Sequence, residues 1–254
     1  MNDTACAGHC FNICVGKPCC AMICDDKRKM TREGAGTPEA GTMPEEVGTM
    51  VQIKLCGLRH MEDIRIVNRA MPEYAGFILA KGRRRTVSPE QMADLVSGLR
   101  PGIRKVGVFL DQDPEWICSL ARQGLMDVIQ LHGREDDSVI RMLQERTGKM
   151  VVKAFRIDSE ADAVKAQASA SDMILLDHGD GGSGEAFDWS LIAPVRRAFF
   201  LAGGLNPENV RDAVRTAHPA AVDVSSGVET DGRKDEAKVM EFVRQVREMG
   251  AGWS

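Results

Sequence analysis

Cys56 closes the stretch "VQIKLCG", in which Val51, Ile53 and Leu55 alternate with Gln52 and Lys54. That period of two marks a short strand, so the thiol falls at a strand end, ahead of a glycine and a run with helical spacing. A thiol becomes a competent base near neutrality when a neighbouring positive charge helps it ionise. Asp177 closes a second apolar run, "DMILLD", and a partly desolvated carboxylate there suits general-acid work. Gln130 and His132 end a third, "VIQLHG". Two glycine-rich stretches follow late in the chain. "LAGGLNPENV" (201–210) runs from a strand through Gly203-Gly204 into a capped helix, and "VDVSSGVE" (222–229) offers Ser225, Ser226 and a glycine. Backbone N–H groups exposed in such loops hold anions, and two adjacent loops of this kind point to a phosphorylated ligand. The basic run Lys81-Gly82-Arg83-Arg84-Arg85 offers a bidentate clamp for a carboxylate if one arginine reaches inward.

These groups need a scaffold that brings strand ends together. Apolar runs recur at 51–56, 74–79, 103–109, 126–131, 150–155, 172–177, 198–203 and 220–224, about 20–25 residues apart. Helix starts lie between them at Ser88-Pro89-Glu90, Asp113-Pro114-Glu115, Asp158-Ser159-Glu160 and Asn206-Pro207-Glu208. Each pairs an N-cap residue with a first-turn Pro or an acidic first turn. Only 178–197 is irregular, glycine-rich with a short helix near 188–192. Eight strand–helix periods predict an α/β fold, a (β/α)8 TIM barrel over 50–254, whose chemistry sits at the C-terminal ends of the strands. A doubly wound open sheet is the alternative, but the G-x-G-x-x-G turn it would carry after the first strand is absent.

Composition excludes other classes. A net charge of −4 argues against a general nucleic-acid binder. No apolar run approaches the ~20 residues of a membrane span. The balance of 43% hydrophobic and 28% charged residues is that of a soluble protein, expected in the cytoplasm. Six of the eight cysteines fall within the first 24 residues, spaced C-x3-C-x3-C-x4-C-C-x3-C. That pattern lacks the C-x2-C pairs of structural zinc and ferredoxin sites. With the polar 25–49 behind it, the segment 1–49 reads as a disordered extension or the product of a misassigned start, Met50 being a usable one. His60, His178 and His218 lack a comparable site context, and no three-ligand metal set emerges.

Taken together, "KLCGLR", "RRTVSPE", "VGVF", "VIQLHG", "LLDHGDGGSGEAFDW", "LAGGLNPENV" and "VDVSSGVE" resemble the phosphoribosylanthranilate isomerases of tryptophan biosynthesis, in order and spacing, from Met50 to about Met249. The resemblance implies an Amadori rearrangement of a phosphorylated aminoaldose, without cofactor or metal, and association with other enzymes of that pathway. It implies Cys56 as general base and Asp177 as general acid, and assigns Arg85 to the anthranilate carboxylate. Gln130 and His132 would line the same pocket. Gly203, Gly204, Ser225 and Ser226 would hold the phosphate, with Gly182, Ser183 and Asp223 among the substrate-contacting positions. The rival expectation is another phosphosugar barrel. Indole-glycerol-phosphate synthase would need a catalytic Lys and Glu at strand ends. The histidine-pathway aminoaldose isomerase would carry Asp in place of Cys56.

Overall fold

Every apolar run becomes a strand. The computed structural model describes residues 50–178 and 189–250, so the extension 1–49 and the predicted contacts Gly182 and Ser183 lie outside the described residues. The strands β1 (Gln52–Cys56), β2 (Tyr74–Ile78), β3 (Arg104–Phe109), β4 (Val128–Leu131), β5 (Met150–Arg156), β6 (Met173–Asp177), β7 (Phe199–Leu201) and β8 (Ala221–Val224) close into one barrel in chain order. All eight pairings are parallel, and β8 returns to β1 with Lys54 opposite Asp223.

Helices α1 (Met61–Ala70), α2 (Pro89–Ser97), α3 (Pro114–Arg122), α4 (Asp137–Thr147), α5 (Glu160–Ala168), α6 (Val210–Ala217) and α7 (Glu236–Gly250) connect or follow the strands. Their starts obey local chemistry. Ser88 accepts from the Gln91 N–H while the Gln91 side chain accepts from the Ser88 N–H, a complete capping box in front of Pro89. Asp113 caps α3 through the Glu115 N–H. The start expected at Asn206-Pro207-Glu208 is delayed: the Asn206 side chain bonds Glu208 and Asn209, making a turn, and α6 begins at Val210. Between β6 and β7 the described residues hold one short 3-10 helix, Trp189–Ile192.

Alternation along the strands sorts side chains into two layers. Tyr74, Val106, Val108, Val128, Val152, Ala154, Leu175 and Phe200 pack with Cys56 inside the barrel. Ile53, Leu55, Phe77, Ile129, Val151, Ile174, Leu176, Leu201 and Val222 face the helices. Strands buried on both faces explain why the sequence shows nearly continuous apolar runs. The period also fixes the site. Counting in steps of two from inward residues carries the inner face to Cys56 on β1, Gln130 on β4, Asp177 on β6 and Asp223 on β8.

The outer layer is sealed by α7, whose Phe242 is fully buried. Phe242→Ala should cost about 3–5 kcal/mol and lower the melting temperature by roughly 10 °C. Thermal denaturation followed by circular dichroism measures it, and a change of under about 2 °C would contradict this packing role.

Candidate active site

β1 delivers two inward side chains in succession, Lys54 and Cys56. Lys54 is buried and its ammonium donates to Asp223 Oδ2 at 2.8 Å across the β1–β8 seam. On the other side Cys56 lies opposite Gly76 of β2. A Cβ at Gly76 would stand 2.9 Å from Cys56 Sγ and 3.2 Å from Lys54 Nζ, so the missing side chain leaves room for thiol and ammonium together. Burial pushes the Cys56 thiol above its ordinary pKa, the Lys54 charge opposes that, and Asp223 adds to the rise. For Lys54 itself, burial works against the charge, and Asp223 and Cys56 more than restore it.

Asp177 at the end of β6 accepts the His178 N–H at Oδ1 (2.9 Å), and its Oδ2 lies 3.4 Å from His132 Nε2. His132 Nδ1 is 3.3 Å from Gln130 Nε2. The imidazole thus bridges the Gln130 amide on one side and the Asp177 carboxylate on the other. β4 and β6 are not neighbours. The strand between them presents the small Ala154 inward, which leaves the imidazole free to cross.

The loops after β7 and β8 meet this group. Gly203 and Gly204 both have positive φ, and a Cβ on Gly203 would stand 2.6 Å from the His178 backbone nitrogen. A Cβ on Gly227 would lie 1.9 Å from the Leu205 carbonyl oxygen, so the two loops are pressed together. Among the described residues the N–H groups of Gly203, Gly204 and Ser226 donate to no protein acceptor. Ser225 Oγ donates to the Cys56 carbonyl. Among the described residues the Gly203, Gly204 and Ser226 N–H groups thus remain available for an anion.

Of the three arginines, Arg85 turns inward, its side chain 13% exposed against 60% for Arg84. Its stem crosses Gly57, where a Cβ would lie 2.5 Å from Arg85 Cδ. Its Nε and Nη2 donate to the two oxygens of Glu229, each at 2.7 Å. Glu229 also receives Lys234 Nζ at 3.0 Å and Arg84 Nη2 at 2.9 Å. Burial works against its charge, but Arg85 and Lys234 outweigh it and hold the carboxyl at about 2.

The structure thus gathers Cys56, Asp177, Arg85, Gln130, His132, Gly203, Gly204, Asp223, Ser225 and Ser226 around the C-terminal end of the barrel. A cleft of about 700 Å³ lined by Trp189, Ile192, Val195, Phe199 and His218 lies at the other end of β7 and includes none of them. Among the described residues no cluster of three or more His, Cys, Asp or Glu is placed to hold a metal ion. No helix among them is long and apolar enough to cross a membrane.

The family model for N-(5'phosphoribosyl)anthranilate (PRA) isomerase matches residues 53–245. The chain belongs to the phosphoribosylanthranilate isomerase family. An N-(5'-phosphoribosyl)anthranilate isomerase of Endomicrobium trichonymphae is 43% identical over 204 residues, 79% of this chain and 100% of that protein. One from Clostridium kluyveri is 39% identical over 200 residues, 78% and 98% of the two chains. The crystal structure of the Thermotoga maritima enzyme superposes with a TM-score of 0.72 at 37% identity, over 78% of this chain and 100% of that one. A phosphoribosylanthranilate isomerase solved with reduced 1-(o-carboxyphenylamino)-1-deoxyribulose 5-phosphate gives 0.70 at 36% identity, with the same coverage.

Within this family barrel the sequence reading passed over three charged residues. Lys54 was legible, because it lies two residues before Cys56 and must share its face. Glu229 ends the quoted "VDVSSGVE", and nothing local marks it or Lys234 as partners of Arg85. A pH test follows from the first. With Lys54→Gln, only Lys234 is left to oppose burial and Asp223 at the thiol, so its pKa rises further and its thiolate fraction at fixed pH falls. Alkylation of Cys56 by iodoacetamide, read on its own peptide by mass spectrometry, should slow about tenfold at neutral pH. An unchanged rate in folded protein would show that Lys54 does not govern the thiol.

Proposed function

We propose that residues 50–254 isomerise N-(5-phosphoribosyl)anthranilate to 1-(2-carboxyphenylamino)-1-deoxyribulose 5-phosphate, with Cys56 as general base and Asp177 as general acid. The observation that carries this reading is the convergence of three features at one barrel mouth. These are a buried thiol ending β1, a carboxylate ending β6, and N–H donors on the β7 and β8 loops that meet no acceptor among the described residues. Asp177 protonates the furanose ring oxygen, and the C1–O bond breaks as the aryl nitrogen lone pair forms the Schiff base. The Cys56 thiolate then takes the C2 proton, giving an enolamine that tautomerises to the ketone. His132, beside Asp177 and half-exposed, is the group able to return a proton from solvent. Gly203, Gly204, Ser225 and Ser226 hold the 5-phosphate, and Arg85 takes the anthranilate carboxylate. The family structure carrying the reduced product analogue supports a ligand of this shape.

The rival phosphosugar chemistries fit less well. Indole-glycerol-phosphate synthesis asks for a lysine at the mouth. Lys54 is paired with Asp223, and Lys153 is turned to the Gly133 carbonyl (2.5 Å) and Glu135 (3.1 Å). The histidine-pathway reaction would place an aspartate where Cys56 stands. A cytoplasmic setting and association with other tryptophan-pathway enzymes belong to the same proposal and rest on the pathway's chemistry alone.

The assay generates N-(5-phosphoribosyl)anthranilate in situ and follows its loss of fluorescence. Cys56→Ala and Asp177→Asn should each lower kcat by about 10²–10⁴-fold, while Arg85→Gln should act mainly on KM, by about tenfold or more. Dialysis against a chelator should leave activity unchanged. Full activity in folded Cys56→Ala would sink the assignment of the base.

A further inference from the structure

Arg85 is not a free clamp, and the way it is held constrains what it can recognise. Glu229 takes the Nε/Nη2 edge of the guanidinium with both oxygens, leaving Nη1 without a hydrogen bond among the described residues. The carboxylate is nearly buried, its side chain 6% exposed, so it cannot swing into water without giving up several charge-assisted bonds. It is also anchored from behind. Lys234, itself buried, bonds Glu229 Oε1 and the Ser225 carbonyl at 2.8 Å. Lys238 donates to the Glu229 carbonyl at 2.9 Å. The short hairpin of β9 (Glu229–Thr230) and β10 (Arg233–Lys234) carries both ends of this contact. Arg59 ties that hairpin to the arginine loop, donating to the Gly232 and Arg84 carbonyls.

The charges do not balance. Arg84, Arg85 and Lys234 place three cations on one carboxylate. A surplus of positive charge in a partly closed mouth attracts one further anion, and the unused edge of Arg85 gives that anion a direction. The stem of Arg85 passes over Gly57, next in sequence to Cys56.

We propose that Glu229 is a positioning residue that fixes Arg85 for the carboxylate of the aromatic substrate and thereby sets the enzyme's demand for an ortho-carboxyl group. The inference rests on the reading of Arg85 as the carboxylate's partner. It adds that this arginine discriminates only while Glu229 holds it. Loss of Glu229 frees a flexible guanidinium and exposes Lys234 as an unpaired competitor.

Two probes separate this role from a purely structural one. They are reduced 1-(o-carboxyphenylamino)-1-deoxyribulose 5-phosphate and the same molecule with an unsubstituted phenyl ring. Calorimetry on the full-length wild type and on Glu229→Gln gives four affinities. The wild type should prefer the carboxylated probe by about tenfold or more, and Glu229→Gln should lose most of that preference while binding the plain phenyl probe within about twofold of wild type. Equal weakening of both probes, or a preference kept intact in Glu229→Gln, would overturn the positioning role. Indifference of the wild type itself would instead overturn the reading of Arg85. Glu229→Asp, which keeps the charge but shortens the reach, should show an intermediate preference. It decides the matter in the same way if the Gln variant fails to fold.

Discussion

The buried ion pair between Lys54 and Asp223 is the contact on which both barrel and site depend. It joins the first strand to the last, where the sheet must close, and it does so inside the barrel rather than on the surface. Apolar residues would fill that space at lower cost, since taking two charges out of water is expensive and their attraction often only breaks even. Asp223 even leaves Oδ1 without a partner among the described residues. An arrangement that costs stability and sits directly beneath a thiol is best understood through the thiol. Lys54, held by the pair, sets a fixed positive charge beside Cys56 in a place water does not reach, where its effect is screened least.

Anion binding at the other side of the mouth is achieved by different means. The proposed phosphate cradle uses neutral backbone donors set by glycines whose side chains would collide with neighbouring backbone, as at Gly203 and Gly227. The proposed carboxylate clamp uses long cationic side chains tied to Glu229. A rigid nest suits a phosphate, whose oxygens accept from every direction. A planar fork suits a carboxylate, which demands two parallel bonds. One barrel end can therefore hold a ligand with two different anionic groups in a single orientation. The wrong group at either site would leave donors unmet.

How far this was legible in the sequence follows from the range of each cause. The strands could be read because each is buried on both faces, and the caps at Ser88 and Asp113 because a cap is settled within three or four residues. Period two alone put Lys54 with Cys56. The late start of α6 was hidden because Asn206 and Asn209 both turn their side chains onto the same short stretch, a competition that spacing does not reveal. The grip of Glu229 on Arg85 spans 144 residues between two loops, and loops carry no register to count from. His178 had no site context in the sequence, yet its backbone N–H bonds Asp177.

Asp223 also explains why the thiol is not simply made as acidic as possible. A bare Lys54 would stabilise the thiolate strongly, but a thiolate held at low pKa is a weak base, and the proposed reaction asks it to remove a proton from carbon. Asp223, pushing the thiol the opposite way to Lys54, leaves Cys56 with a countercharge that offsets burial in part and keeps its basicity. On the proposed reading the substrate then brings two anionic groups into the same mouth. Each has its own donors, in the glycine loops and at Arg85, so neither needs to draw on Lys54. In the proposed mechanism the ammonium stays with the sulfur as the carbon–hydrogen bond breaks, and this division of charge is how a buried thiol would serve as the base.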